Sequence, residues 1–252
     1  MNILITGSGG FIGMNLIEGL LRKDNINILY FDKEDNLETL KSHLKQADFV
    51  YHLAGVNRSE KEEDFEVGNV GLTKKIVDTL LELNKSIPIV MSSSTQADLD
   101  NIYGKSKRRA EEVLIEYSKR CKAPICIFRL PNVFGKWSRP NYNSVVSTFC
   151  YNISHNLDIT ITDENKELTL VYIDDVINSF ISLFDKQMDI NKYYYEVEKT
   201  FKITLGELAK IIYEFKTIRE TSIVPDLSNE LIKDLYATYL SYLEPNDFIY
   251  SL

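Results

Sequence analysis

The sequence predicts an α/β fold, a doubly wound parallel sheet with a small C-terminal lobe. Three observations carry that reading. Short apolar runs alternate with helical patterns from Asn2 to Leu130, glycines fill the first turn between run and helix, and the rhythm breaks after Leu130 into a stretch rich in Pro, Gly, Asn and Ser. Strands alternating with helices build right-handed crossover units around a parallel sheet covered on both faces. A chain of 252 residues suits one large domain, or one domain with a subordinate lobe, and can bury a substantial core.

In order, NILIT (2–6) reads as a buried strand and 10–22 as a helix. INILYFD (26–32) is a strand, followed by a short helix over 37–45. DFVYHLA (48–54) is a strand, and a helical stretch then runs to Asn84. IPIVMSS (87–93) is a strand, 103–120 a helix, and PICIFRL (124–130) the next strand. Beyond it, RLPNVFGKWSRPNYNS reads as loop and 145–153 as a helix. ELTLVYI (167–173) is strand-like, 174–186 is helical with Asp174 or Asp175 as its N-cap, and YYYEVE (193–198) alternates like a strand. ITLGELAKIIYEFKTI is a helix whose Thr204 and Glu207 form a capping box. LIKDLYATYLSYL carries apolar and aromatic residues at helical spacing, which is a packed face, and it could also serve a homodimer. The expected division is a dinucleotide-binding domain over 1–135, continued by 167–190, with a substrate-binding lobe over 136–166 and 191–252.

Composition excludes several classes. Net charge is -8, which argues against a broad nucleic-acid surface but leaves room for a small anionic ligand. Cys121, Cys126 and Cys150 match no zinc pattern, and their odd number argues against a disulfide framework. His43, His52 and His155 show no ligand spacing, so no metal is expected. No apolar run reaches membrane-spanning length, and the glycine-broken start lacks a basic n-region, so it is not a signal peptide. The expected compartment is reducing and cytoplasmic, with no membrane partner.

Gly7, Ser8, Gly9, Gly10, Phe11, Ile12 and Gly13 lie where the first strand meets the first helix, with Gly7, Gly10 and Gly13 spaced G-x-x-G-x-x-G. Glycines there allow a tight turn, close backbone approach to a pyrophosphate and close helix–strand packing, and the helix start offers N–H groups to the anion. This makes the predicted fold Rossmann-type. The second strand ends in Asp32-Lys33. A carboxylate there suits the ribose hydroxyls of NAD and a cation suits the 2'-phosphate of NADP, so these residues alone do not decide between them.

MSSSTQADLDNIYGKSK places Ser94 before Tyr103 and Lys107. Tyr103 and Lys107, four apart, share one helix face. A nearby ammonium favours the phenolate and is expected to lower the tyrosine from its usual pKa near 10. A second Tyr-x-x-x-Lys pair, Tyr195 and Lys199, lies in a strand-like run where such positions are about 13 Å apart, and is set aside. His52 reads as a packed histidine beside the cofactor. Arg108-Arg109 with Glu111-Glu112 reads as a solvated helix face, and Trp137 as a packing residue or a platform for uracil.

With TGSGGFIG, HLAG, SSS, YGKSK, RLPNVFG and VYIDDV in this order, the chain resembles the extended short-chain dehydrogenase/reductases that act on nucleotide sugars. HLAGVNR, PNVFGKWSRPNYNS and KDLYATYLSYL make it most similar to the reductase domain of bacterial bifunctional capsular-polysaccharide enzymes of UDP-N-acetyl-L-fucosamine synthesis. That resemblance implies reduction, with NADPH, of the C4 ketone of a UDP-2-acetamido-2,6-dideoxy-hexos-4-ulose, giving the UDP-2-acetamido-2,6-dideoxy-L-talose product. It implies a C-terminal cupin domain for the preceding C3 epimerisation, and the sequence stops at Leu252, where the family's linker would lead into it. It assigns Tyr103 as proton donor, Lys107 as its partner and Ser94 as the hydroxyl on the substrate carbonyl. Asn69 matches a structural asparagine and Asn132 a substrate contact. Leu53, Ala54 and Gly55 join the cofactor set, and Asn57 and Arg58 the substrate set. Asp32 followed by Lys33 tips the expectation to NADPH, with NADH left open.

Departures from the family pattern carry expectations of their own. Fifteen residues separate Asp32 from Asp48, so the sheet is expected to be one strand short. Lys136 stands where many relatives have proline, and Leu168 where an arginine is common, so Lys136, Arg139 and Asn143 become the candidates for the diphosphate. Ser94 and Tyr103 are nine positions apart, closer than in many relatives, which predicts a more open sugar pocket walled by 136–144. The alternatives are an NAD-dependent UDP-sugar 4-epimerase with the same triad, and a non-catalytic dinucleotide-binding protein, which would commonly lose the tyrosine. A 4,6-dehydratase needs an acid–base pair after the hydroxyl residue, usually Asp-Glu, where this chain has Thr95-Gln96.

Overall fold

The computed structural model describes residues 1–184 and 188–248, and the chain divides into two compact units. The first comprises Met1–Leu130 and Val176–Val197, the second Pro131–Asp175 and Glu198–Leu252, whose residues 249–252 lie outside the described residues.

The first unit opens with β1 (Asn2–Thr6), α1 (Phe11–Leu20), β2 (Asn27–Phe31), α2 (Leu37–Gln46) and β3 (Phe49–His52). A short α3 (Glu62–Phe65), a π-helical turn (Glu66–Gly71) and α4 (Leu72–Glu82) follow. Then come β4 (Ile89–Ser94), a 3-10 turn (Thr95–Asp98), α5 (Ile102–Cys121) and β5 (Ile125–Leu130). The second unit begins with β6 (Asn132–Phe134), α6 (Val145–Ser154) and β7 (Glu167–Tyr172). The chain continues through α7 (Ile173–Ile181) to β8 (Tyr194–Tyr195) in the first unit, then β9 (Phe201–Thr204), α8 (Leu205–Thr221) and α9 (Glu230–Leu240) in the second.

The large sheet has the order β2-β1-β3-β4-β5-β8 and is parallel throughout. From β1 the chain moves one way to β2 and the other way to β3, β4 and β5. The order therefore reverses between β1 and β3, and ligands of such sheets bind beyond the carboxyl ends of the strands at that reversal. The turn after β1 and the residues after β3 meet there. β2 is the edge strand on that side, as the short spacing from Asp32 to Asp48 implies.

Alternation along the strands assigns two faces. Leu4, Val50, Met91 and Ile127 join Leu40, Leu44, Ile76, Leu80, Ala110 and Leu114 in one core, which sets α2, α4 and α5 on one side. On the other, Phe49 and Tyr51 pack with Phe180 and Phe184, and the Tyr51 hydroxyl donates to Phe180 O at 3.0 Å. Runs such as FVYH are buried at every position because both faces are covered.

In the second unit β7 is the central strand, parallel to β6 and antiparallel to β9. Its core joins Phe134, Phe149, Leu170, Ile203, Ile212, Phe215, Leu235 and Tyr239. Tyr236 and Tyr239 of α9 pack on Phe215, so these aromatics serve the unit's own core.

Several sequence expectations are corrected. Asn132–Phe134, expected as loop, is a strand too short to show alternation. Ile203 and Thr204 end a strand instead of opening a helix, and the Thr204–Glu207 capping box then starts α8. The strand expected over 193–198 shrinks to Tyr194–Tyr195. β7, expected within the dinucleotide domain, belongs to the second sheet. α7 begins at Ile173, which puts Asp174 and Asp175 in its first turn, and Lys186, the expected helix end, lies outside the described residues.

Candidate active site

The glycine-rich turn is built by backbone contact. Gly7 has φ +72°, and a Cβ on it would sit 2.7 Å from Ala54 N; a Cβ on Gly13 would sit 2.2 Å from Gly7 O. No side chain fits at either position without moving backbone. Asn36, Asn101, Ser144, Thr204 and Asn229 cap α2, α5, α6, α8 and α9 with their side chains, whereas α1 has no side-chain cap and no acidic residue in its first turn. Its N–H groups suit a diphosphate. Asp32 bends back over the turn, accepting from Gly9 N at 2.7 Å and Lys33 N at 2.8 Å. A carboxylate has further lone pairs, so ribose hydroxyls remain within its capacity. Lys33 is exposed and paired with Glu34 at 3.4 Å. These residues fit a bound dinucleotide.

β4 and α5 bring the predicted triad together. Asn101 caps α5 through Gly104 N, and the Cβ-free Gly104 lets the helix start pack on Gln96 O. Tyr103 donates from its hydroxyl to Asn57 Oδ1 at 3.2 Å, and the Ser94 hydroxyl lies close enough to the phenol to draw its pKa down. Ser94 also accepts from Gln96 N at 3.2 Å. Lys107 is buried and donates from Nζ to Ser92 O at 2.8 Å. Burial brings its ammonium down to about 8, with Glu111 one helical turn away acting in the opposite direction. The expectation that Lys107 lowers the phenol is corrected: burial holds Tyr103 above its ordinary value, and Ser94 is the group that draws it back.

Asn69 sits in the π-helical turn, where the widened backbone aims it inward. Its Oδ1 accepts from Val56 N at 2.9 Å, and its Nδ2 donates to Val56 O at 3.1 Å and Ser106 Oγ at 2.9 Å. It thus ties the loop after β3, with Leu53, Ala54, Gly55 and Asn57, to α5. Arg58, in the same loop, is exposed.

His52 is packed and fully partnered. Its Nδ1 meets Thr6 Oγ1 and its Nε2 meets Thr73 Oγ1, both at 2.8 Å. Thr73 donates onward to Asn69 O at 2.7 Å, so it accepts from His52, which places the ring proton on Nε2. Burial first, then the charge of Lys107, pushes this imidazole down to about 3 from 6.5. The unfolded chain therefore binds the extra proton between those values, and stability is lost as pH falls through that window. At pH 4.5 the loss is about 2–3 kcal/mol relative to pH 7, at 1.36 kcal/mol per pKa unit. Urea unfolding of the wild type and His52→Gln at both pH values checks it: the wild type should lose that much more than the variant, and parallel losses would contradict it.

The "solvated" face of α5 is also corrected. Glu111 is fully buried, gripped by Arg129 through Nη2 at 2.6 Å and by the Ser93 hydroxyl. Ser93 is thereby committed away from the reaction. Sequence reasoning missed Glu111 and the Asn57–Tyr103 bond; the spacing of 103, 107 and 111 was the available signal for the first.

The remaining predicted residues lie in the second unit. Asn132, at the start of β6, donates to Thr169 O at 3.1 Å. Lys136 Nζ lies 4.5 Å over the Trp137 ring, and the Arg139 guanidinium 5.5 Å over Tyr142. Asn143 is exposed. Trp137 has φ +69°, rare for a bulky residue, and is 45% exposed, while its neighbour Ser138 is buried against Ser147 at 3.2 Å and accepts from Tyr242. Tyr195 of the discarded pair lies against Cys126, and Lys199 pairs with Glu230 at 3.0 Å. Among the described residues, no group of three or more His, Cys, Asp or Glu could hold a metal ion.

Comparison with known proteins gives consistent likenesses. A model described as the NAD dependent epimerase/dehydratase family matches residues 3–195. The chain is 43% identical over 252 residues to a UDP-2-acetamido-2,6-beta-L-arabino-hexul-4-ose reductase of Pseudomonas aeruginosa, covering all of this chain and 68% of that protein. The capsular polysaccharide assembling protein CapF from Staphylococcus aureus superposes with a TM-score of 0.90 at 42% identity, over 100% of this chain and 68% of that one. A UDP-glucose 4-epimerase from Thermotoga maritima superposes with a TM-score of 0.81 at 16% identity, over 96% and 98% of the two chains, and shares the fold.

Proposed function

The chain belongs to the NAD dependent epimerase/dehydratase family, and on that premise we propose that it reduces the C4 ketone of a UDP-2-acetamido-2,6-dideoxy-hexos-4-ulose with NADPH, in the synthesis of capsule or O-antigen sugars. The observation that carries this reading is the 43% identity, across the whole chain, to a protein named as such a reductase. The site supports it. Reduction of a ketone needs a protonated acid at the carbonyl oxygen, and burial keeps the Tyr103 phenol protonated. Thr95 and Gln96 carry no ionisable group, which disfavours a dehydratase.

Bound NADPH would supply hydride to C4. Tyr103 releases its proton to the C4 oxygen as negative charge develops there, and Ser94 donates a second hydrogen bond to the same atom. Asn57 holds the phenol hydrogen until that oxyanion competes for it. Once the C4 oxygen carries that proton, the Ser94 hydroxyl, with its single hydrogen, turns to the phenolate left behind. Gly7 to Gly13 and Asp32 are assigned to the dinucleotide, with Leu53, Ala54 and Gly55 beside them. Arg58, Asn132, Lys136, Arg139 and Asn143 are assigned to the nucleotide sugar. Among the described residues no helix is long and apolar enough to cross a membrane, and a cytoplasmic site of action is part of the proposal.

Cofactor oxidation by the UDP-linked 4-keto sugar, run with NADPH and NADH in parallel, tests the reading. NADPH should be consumed faster. Because Lys33 is shared with Glu34, the preference should be modest, and Lys33→Ala should raise KM for NADPH severalfold with little change for NADH. Equal or greater activity with NADH would overturn the NADPH assignment. Redox-neutral interconversion of UDP-sugars without added cofactor would support an epimerase instead.

A further inference from the structure

The catalytic helix carries a third group in line with Tyr103 and Lys107. Residues four apart share one face of a helix, each step rising about 6 Å, and the next member of the series is Glu111. A buried carboxylate is costly unless it is paired and hydrogen-bonded. Glu111 is both. Arg129 Nε approaches its two oxygens at 3.1 and 3.2 Å, Arg129 Nη2 donates at 2.6 Å, the Ser93 hydroxyl donates to Oε1, and the Tyr194 hydroxyl donates at 3.3 Å. Arg129 reaches on to Asp98 at 2.5 Å, with its guanidinium 4.6 Å over the Tyr194 ring. Ser93 immediately precedes Ser94, and Asp98 closes the turn that follows it. One carboxylate–guanidinium pair thus clamps both sides of Ser94 to the helix that bears Tyr103 and Lys107.

We propose that Glu111, acting with Arg129, is a positioning residue of this site: it fixes Ser94 against the catalytic helix and maintains the charge on Lys107. The first role rests on the proposed reaction; the second does not. Lys107 is faced by His52 from β3, by Glu111 from its own helix, and by the uncharged Ser92 O of β4, with Gly55 and Asn69 adjacent. Glu111 is faced by Arg129 from β5, Tyr194 from β8, and Ser93 from β4, with Asp98 on the far side of Arg129. His52 is buried neutral, so Glu111 is the charge that sustains the ammonium against burial.

The test follows the Lys107 ammonium by NMR of lysine-labelled full chain, assigned with Lys107→Met, alongside steady-state turnover. In Glu111→Gln the Lys107 midpoint should fall below its wild-type position near 8, and kcat should drop about 10- to 100-fold with KM nearly unchanged, the scale of a misplaced catalytic group. The double variant E111Q/R129M removes both charges, so it folds without an orphaned guanidinium and carries the test if the single variant does not. A Lys107 midpoint or a kcat that stays at the wild-type value in the folded variants overturns the proposal. Absence of turnover in the wild type would sink the proposed function instead, and the midpoint alone then decides the role of Glu111.

Discussion

Tyr103→Phe is expected to reduce turnover of the keto sugar by about 10^3-fold, within the range of 10^2 to 10^4 typical for a general acid, while NADPH affinity stays near the wild-type value. The substitution removes one oxygen and keeps the ring, which packs edge-on against Phe65 at 6.0 Å. The lost oxygen donates to the exposed Asn57 and lies beside the half-buried Ser94, so the fold has little stake in it. Asn57 is exposed and can turn to water, which avoids a buried orphan acceptor. Stopped-flow turnover together with fluorescence titration of NADPH separates the two effects. Intact turnover would remove Tyr103 from the mechanism, and with it the reason for reading this site as a ketoreductase.

Gly13→Ala is expected to weaken NADPH binding by about 5- to 150-fold, the equivalent of the roughly 1–3 kcal/mol that overpacking costs. The added Cβ would meet Gly7 O at 2.2 Å and Ser8 O at 2.8 Å, and both are backbone. Relief requires the start of α1 to move away from the turn that receives the diphosphate. Gly71→Ala is the matched control, because its Cβ would meet only Glu66 O at 3.6 Å, an ordinary contact outside the residues assigned to the dinucleotide. Equal affinities for the two variants would contradict the account of the turn.

The first unit was legible because its signals are local and repeated. β1, β3, β4 and β5 are short apolar runs buried on both faces, and the glycines at 7, 10 and 13 occur where a strand meets a helix. The catalytic pair was legible for the same reason: Tyr103 and Lys107 are one helical turn apart. What escaped depends on contacts distant in sequence. Asn132–Phe134 is a strand only because β7 lies beside it, and three residues show no period. Glu111 read as solvated because charge beside charge on a helix usually is; the Arg129 that buries it comes from β5, 18 residues on. Tyr103 was expected to be drawn down by Lys107, yet burial, which no spacing reveals, sets its direction. Asn57 was expected on the substrate, and its tie to Tyr103 spans 46 residues.

The central claim is that a C4 ketone is reduced with a proton from Tyr103. The most direct measurement supplies the UDP-2-acetamido-2,6-dideoxy-hexos-4-ulose with NADPH deuterated at the transferable position and locates the label in the product by NMR. The account predicts one cofactor oxidised per sugar, deuterium on C4, and loss of the signal with Tyr103→Phe. Deuterium elsewhere on the sugar, or conversion of the sugar with no net oxidation of cofactor, would contradict it.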